Sequence, residues 1–232
     1  ILCAGLVGFT ACDSFLDEDP KSSLTLDTYY KTSADIIGNV NYLYRDGAPD
    51  KMGNMTGAYR GSSLSVMNMV TGYFVNEYEG QEVDCSYARQ LTRQDFTQSC
   101  CNYLTNDTWK SCYKSINVAN AVIKYVDGVE MDNQAQYKAE ARFFRALNYF
   151  YLVKMFGDVP MVTEPTEDAT LVEYPTRTAA SEVFNTVIIP DLQFAVENLP
   201  NATFAGNSHR VTKYAADMLL ADVYMRLGEY AN

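Results

Sequence analysis

Four carboxylates crowd one short stretch of the chain: Glu77, Glu79, Glu82 and Asp84. Aromatic rings stand beside them at Tyr73, Phe74, Tyr78 and Tyr87, with Phe96 and Tyr103 further on. Two carboxyl groups flanking a glycosidic bond are what sugar hydrolysis requires, one as acid and the other as base or nucleophile. In a binding protein the same groups accept hydrogen bonds from sugar hydroxyls. A solvated acidic loop has the same composition. The residues leave all three readings open.

Other chemistry is excluded more firmly. His209 is the sole histidine and sits in a Gly/Asn loop, so a histidine-pair metal site is ruled out and a nucleophilic triad would hang on one loop residue. No G-x-S-x-G, H-E-x-x-H or phosphate-loop pattern occurs. No metal or cofactor is expected. The adjacent pair Cys100–Cys101 lacks the C-x-x-C spacing of zinc sites. Cys112 falls on an apolar helical face, where a thiol acts as a small hydrophobe. With Cys85, these allow a bridge from Cys85 to Cys100 or Cys101 if the chain is exported.

The elements that must position these residues are helical. The 232 residues are 47% hydrophobic, enough for one sizeable core. The net charge of −11 argues against nucleic acid and against docking on an anionic bilayer. A helix is predicted over 29–44, with Ser33 as N-cap and Ile36, Val40 and Leu43 on one face. Residues 46–60 read as a loop, and 64–75 fit neither helix nor strand clearly. Residues 73–106 keep no period, and a long irregular segment in a helical protein is more often functional than filler.

The pattern resumes at Trp109, which opens a helix to Val126 with Cys112, Ile116, Ala119, Ile123 and Val126 on one face, stopped by Gly128. Asn133 and Gln136 suggest a capping box for the next helix, which should run over 138–156 and end at Gly157, before Pro160. That helix carries two apolar stripes. Ala139, Phe143, Ala146, Phe150 and Val153 form one; Phe144, Leu147, Tyr151 and Met155 form the other. Two stripes imply neighbours on both sides. Arg142, Arg145 and Asn148 recur at intervals of three and read as the wet face. A helix over 178–199 should kink at Pro190, and Thr212 should cap a last one.

The run Arg142-Phe143-Phe144-Arg145-Ala146-Leu147, followed by Leu152-Val153 and Phe156-Gly157-Asp158-Val159-Pro160, resembles the signature helix of the SusD/RagB family of Bacteroidetes nutrient-binding lipoproteins. Trp109, Tyr113, Ile116 and Asn120 resemble the family's spacing, as do Asp191-Leu192 and Leu199-Pro200. Leu220-Ala221, Tyr224 and Leu227-Gly228 resemble a tetratricopeptide repeat. Gly228 superposes on Gly157 at about twice the repeat period of roughly 34 residues. At the other end, residues 1–11 are apolar, uncharged and too short to span a bilayer, like the core of a secretory signal. Phe9-Thr10-Ala11-Cys12 resembles a bacterial lipobox, and Cys12-Asp13, Phe15-Leu16-Asp17 and Asp19-Pro20 resemble the mature start of SusD-like proteins.

The resemblance implies an all-α SusD-like fold with tetratricopeptide-type helix pairs and long irregular loops. It divides the chain into a residual leader (1–11), a lipidated Cys12 with an acidic tether (12–28), and the N-terminal part of a helical domain (29–232) that continues in a longer protein. Its implied function is a non-enzymatic outer-membrane lipoprotein, facing the cell exterior, that binds a glycan and delivers it to a SusC-like TonB-dependent transporter. In such a protein the expected ligand set is Asn76, Glu77, Tyr78, Glu79, Asp84, Tyr87 and Arg89. The rival readings are a tetratricopeptide scaffold holding a protein partner and a surface glycoside hydrolase using two of the four clustered acids.

Overall fold

The computed structural model of the chain describes residues 25–46, 70–73, 93–94, 99–166 and 175–229. In chain order these form α1 (Leu26–Tyr29), α2 (Ser33–Asp46), α3 (Ser99–Tyr125) with a 3-10 turn at Val126–Gly128, and α4 (Gln134–Phe156). Then follow α5 (Ala180–Val183), a π-helical turn (Phe184–Ile188), α6 (Ile189–Asn198), a 3-10 turn at Ala205–Asn207, and α7 (Lys213–Leu227). Among the described residues the only β pairing is an isolated antiparallel bridge between Val159 and Thr178. The fold is all-α.

Helix α4 is the centre of the stack. It packs on α2, α3, α6, α7 and the π-turn. Its first stripe, Ala139, Phe143, Ala146, Phe150 and Val153, is buried along its whole length. Phe144 of the second stripe is buried as well, and Leu147, Tyr151 and Phe156 pack against the core from its edge. Gly157 takes φ +68 and ends the helix, a backbone setting that L side chains rarely adopt.

The expected wet face is not wet. Arg145 is only 8% exposed and Asn148 0%. Helical periodicity equates charge with exposure, and that equation fails here because α6 brings Asp191 (2% exposed) against Arg145. Arg142 remains half-buried, its guanidinium 4.3 Å from the Phe194 ring centroid.

Helix boundaries also differ from those predicted. α3 starts at Ser99, so the end of the 73–106 segment is helical and Trp109 lies inside the helix. The polar run Asn106-Asp107-Thr108 hides the apolar period, but a helix nucleated by its packed C-terminal half propagates through it. At α2 the cap is Thr32 instead of Ser33: Asp35 Oδ2 accepts from Thr32 N at 2.8 Å and Thr32 Oγ1 at 2.6 Å.

The capping box at α4 does not form. Asn133 is left-handed (φ +57), whereas a capping residue needs extended backbone. Gln136 instead donates to Glu140 Oε1, and Gln134 ties the helix start to Val126 O and Val129 O at 2.7 and 3.0 Å. Thr212 precedes α7 with extended backbone, though without a side-chain cap bond. The π-turn immediately before Pro190 answers the missing amide there. Widening the helix is one way to relieve a proline ring that would press on the preceding turn.

Candidate functional site

Two buried polar networks fix the frame. In the first, Arg145 donates to Asp191 through Nε (2.6 Å) and Nη2 (2.9 Å) and to Asn120 Oδ1 through Nη1 (2.9 Å). This fork-to-fork pairing joins α4 to α6 and α3 with the directional strength of a charge-assisted bond. Arg142 Nη1 adds a longer contact to Asp191 at 3.7 Å. Burial pushes the Asp191 carboxyl up, opposed by Arg145 and then Arg142, with the net direction upward.

In the second network, fully buried Glu140 accepts from Arg210 Nε at 3.0 Å and Nη2 at 2.6 Å, and from Tyr44 Oη at 2.8 Å. Arg210 Nη1 also donates to Asn41 Oδ1, and Val211 N donates to Tyr44 Oη. The network therefore holds the loop before α7 against both α2 and α4.

The segment after α4 is stitched along α3 by side chains. Tyr113 Oη donates to Pro160 O at 2.7 Å, and Asn120 Nδ2 donates to Val162 O at 3.0 Å and Glu164 O at 3.2 Å. Tyr149 Oη donates to Val162 O and accepts from Val162 N, and burial raises its phenol to about 12. Asp158 Oδ1 accepts from Ala180 N and so starts α5. The Phe-Gly-Asp-Val-Pro run thus has a structural role: it turns the chain and launches the next helix.

Of the residues expected to bind a ligand, Asn76, Glu77, Tyr78, Glu79, Asp84, Tyr87 and Arg89 lie outside the described residues, as do Glu82, Cys12 and Cys85. The two ends of that stretch are described. Gln94 Nε2 donates to Val70 O at 3.2 Å, so the chain leaves at Val70 and returns beside it. Between them, past a left-handed Gly72, the Tyr73 side chain is 90% exposed. No other large apolar or aromatic side chain among the described residues is as open.

A second arrangement had no motif to reveal it. Tyr29, Tyr30, Asn39 and Asn117 line a cleft of about 280 Å³ between α1 and α3. Tyr30 stacks on Tyr125 with centroids 5.2 Å apart, and Asn39 Nδ2 donates to Tyr29 Oη. The paired tyrosines at 29 and 30 were its only sequence signal, and Asn117, which also lines the cleft, comes from a distant helix.

The remaining expectations resolve plainly. Trp109 packs between Tyr113 and Phe156, with centroids 5.0 and 5.1 Å away, and is a packing residue. His209 is an exposed loop residue lying edge-on to Phe204. Cys112 is a buried free thiol, pushed up to about 12 by burial. Among the described residues no cluster of His, Cys, Asp and Glu could hold a metal, and no helix is long and apolar enough to cross a membrane.

Comparison with known proteins agrees with this architecture. A family model of SusD-like proteins, described as starch-binding associating with outer membrane, matches residues 14–225. SusD-like protein P25 of Formosa agariphila is 26% identical over 227 residues, covering 93% of this chain and 40% of its own length. A SusD superfamily protein from Parabacteroides distasonis is 28% identical, with a TM-score of 0.65 over 82% of this chain and 38% of that one. A laminarin-binding SusD-like protein shares the fold at 24% identity and a TM-score of 0.67, over 86% of this chain and 41% of that one. The chain spans about two-fifths of the length of the curated relatives it matches. The matched family model and the helical stack built around α4 lead to one conclusion: this chain belongs to the SusD-like family of outer-membrane-associated proteins.

Proposed function

We propose that this chain is part of a cell-surface lipoprotein that binds a glycan without cleaving it and passes it to a SusC-like TonB-dependent transporter. The observation that carries the reading is Tyr73: an aromatic ring 90% exposed, which in sequence immediately precedes the aromatic and acidic stretch, with Gln94 hydrogen-bonded back to Val70. Flat rings with a polar edge suit sugar faces, and a few placed polar groups supply orientation. In this proposal Tyr73, Tyr78 and Tyr87 stack on sugar rings while Asn76, Glu77, Glu79, Asp84 and Arg89 bind hydroxyls. Cys12 carries the lipid, residues 1–11 are the leader, 12–28 the tether to the outer leaflet, and 29–232 the helical domain. The family description, starch-binding associating with outer membrane, supports a saccharide as ligand.

The test is affinity electrophoresis through gels containing single polysaccharides. At least one glycan should retard the protein, and Tyr73→Ala should weaken that retardation about tenfold, the scale of one lost aromatic contact of roughly 1.4 kcal/mol. Unchanged retardation after replacing Tyr73, Tyr78 and Tyr87 together by Ala would count against the site. A second reading, a scaffold holding a protein partner, draws on the exposed Tyr214, Met218 and Met225 of α7. Retention of a transporter without any glycan binding would favour it.

A further inference from the structure

Lys154 in the last turn of α4 and Arg226 in the last turn of α7 meet over one phenyl ring. Lys154 Nζ lies 4.8 Å from the Phe150 centroid and the Arg226 guanidinium carbon 5.6 Å. With Val153, Phe184 and Leu227 they line a pocket of about 180 Å³. Phe184 is the first residue of the π-turn and stands edge-on to Phe150 at 6.3 Å. Such turns inside helices recur at functional sites.

Two like charges facing one cavity are a cost that needs a reason. Each cation complements the dipole at its own helix end, which accounts for one per helix but not for both converging on the same ring. Neither makes a salt bridge among the described residues. Asp222, one turn before Arg226 on α7, is the acid that acts on Lys154. Its pull is outweighed: the Lys154 ammonium is lowered first by burial and then by Arg226, with Asp222 opposing. The chain as a whole carries −11 and repels anions, so an anion entering here would answer a local need.

We infer that this pocket takes one oxyanionic group carried on a saccharide, a uronic-acid carboxylate or a sulfate ester, held by the Arg226 guanidinium fork and the Lys154 ammonium. A planar guanidinium matches the oxygens of either group in bidentate fashion, and the ammonium supplies a movable point charge. The carrier of the charge rests on the glycan reading; the anion pocket itself does not.

The test is calorimetric titration of the protein with an oligogalacturonide, a sulfated oligosaccharide, a neutral oligosaccharide and sodium sulfate. Lys154→Gln and Arg226→Gln are compared with Lys154→Arg, and circular dichroism checks that each folds. The acidic oligosaccharides should bind more tightly than the neutral one. Each Gln variant should weaken that binding about tenfold, the lower end for a charge-assisted bond, while Lys154→Arg retains it. Unchanged acidic binding in the double Gln variant overturns the inference, and so does binding of free sulfate with no preference for acidic over neutral sugar. If Tyr73→Ala leaves every saccharide unaffected while the Gln variants abolish acidic binding, the Tyr73 reading falls and the pocket stands.

Discussion

Replacing Asp191 by Asn tests the packing of the whole stack by exchanging one carboxylate oxygen for an amide NH2. Asp191 is 2% exposed and accepts from Arg145 at 2.6 and 2.9 Å, with Arg142 at 3.7 Å. Asparagine keeps the shape but removes the charge, and it sets an amide donor against one arm of the guanidinium. Arg145, itself buried, is left as an uncompensated cation. Removing one partner of a buried pair costs about 3–5 kcal/mol, a large share of the roughly 5–15 kcal/mol that stabilises a domain. With a urea slope of about 2 kcal/mol/M the midpoint should fall by about 2 M, read by far-UV circular dichroism. The double change Arg145→Met with Asp191→Leu removes both charges and should cost less than Asp191→Asn alone. A loss below about 1 kcal/mol for Asp191→Asn, or a double variant as unstable as the sum of its singles, would refute this account of the pair.

Two further outcomes follow from the same geometry. Tyr149→Phe leaves the Val162 N–H unpaired and takes one of the two donors from Val162 O, which keeps Asn120 Nδ2, and should cost about 1–2 kcal/mol for the amide left unsatisfied. The Val162 amide should then exchange faster by hydrogen-exchange NMR, and an unchanged rate would show that Tyr149 does not hold that loop. Asp35 lies below its ordinary 3.8, first through the Thr32 side-chain hydrogen bond and then through the Thr32 backbone. Because its folded value is depressed, its stabilisation is present above 3.8 and is lost as pH falls from there through the lowered value. In Thr32→Ala the Asp35 midpoint, followed by NMR titration, should climb toward 3.8; no movement would mean the cap bond is not the cause.

Much of the fold was legible because packing repeats its spacing in the chain. Ala139, Phe143, Ala146, Phe150 and Val153 mark one face of α4, and Ile36, Val40 and Leu43 one face of α2, and all are buried. Gly157 and Gly228 end their helices at positive φ, Gly228 in the left-handed helical conformation and Gly157 with ψ −123 outside it. What local pattern could not carry is a partner supplied from elsewhere. Arg145 and Asn148 looked solvated because Asp191, which buries Arg145, is 46 residues away. Nothing local marks Glu140 as buried, because its partner Arg210 is 70 residues away. The capping error at Asn133 has a different cause, since residue type does not disclose a left-handed backbone. The proposed site rests in the sequence on composition alone, acids among tyrosines, and of that stretch the structure describes Tyr73, an exposed ring.

The claim that matters most is capture of a saccharide without its cleavage. It is tested by incubating the protein with a polysaccharide panel and measuring, in one experiment, retained glycan and newly formed reducing ends. At least one glycan should be retained, less so by Tyr73→Ala, and no reducing ends should appear. Release of reducing ends, abolished by replacing two of Glu77, Glu79, Glu82 and Asp84, would contradict it.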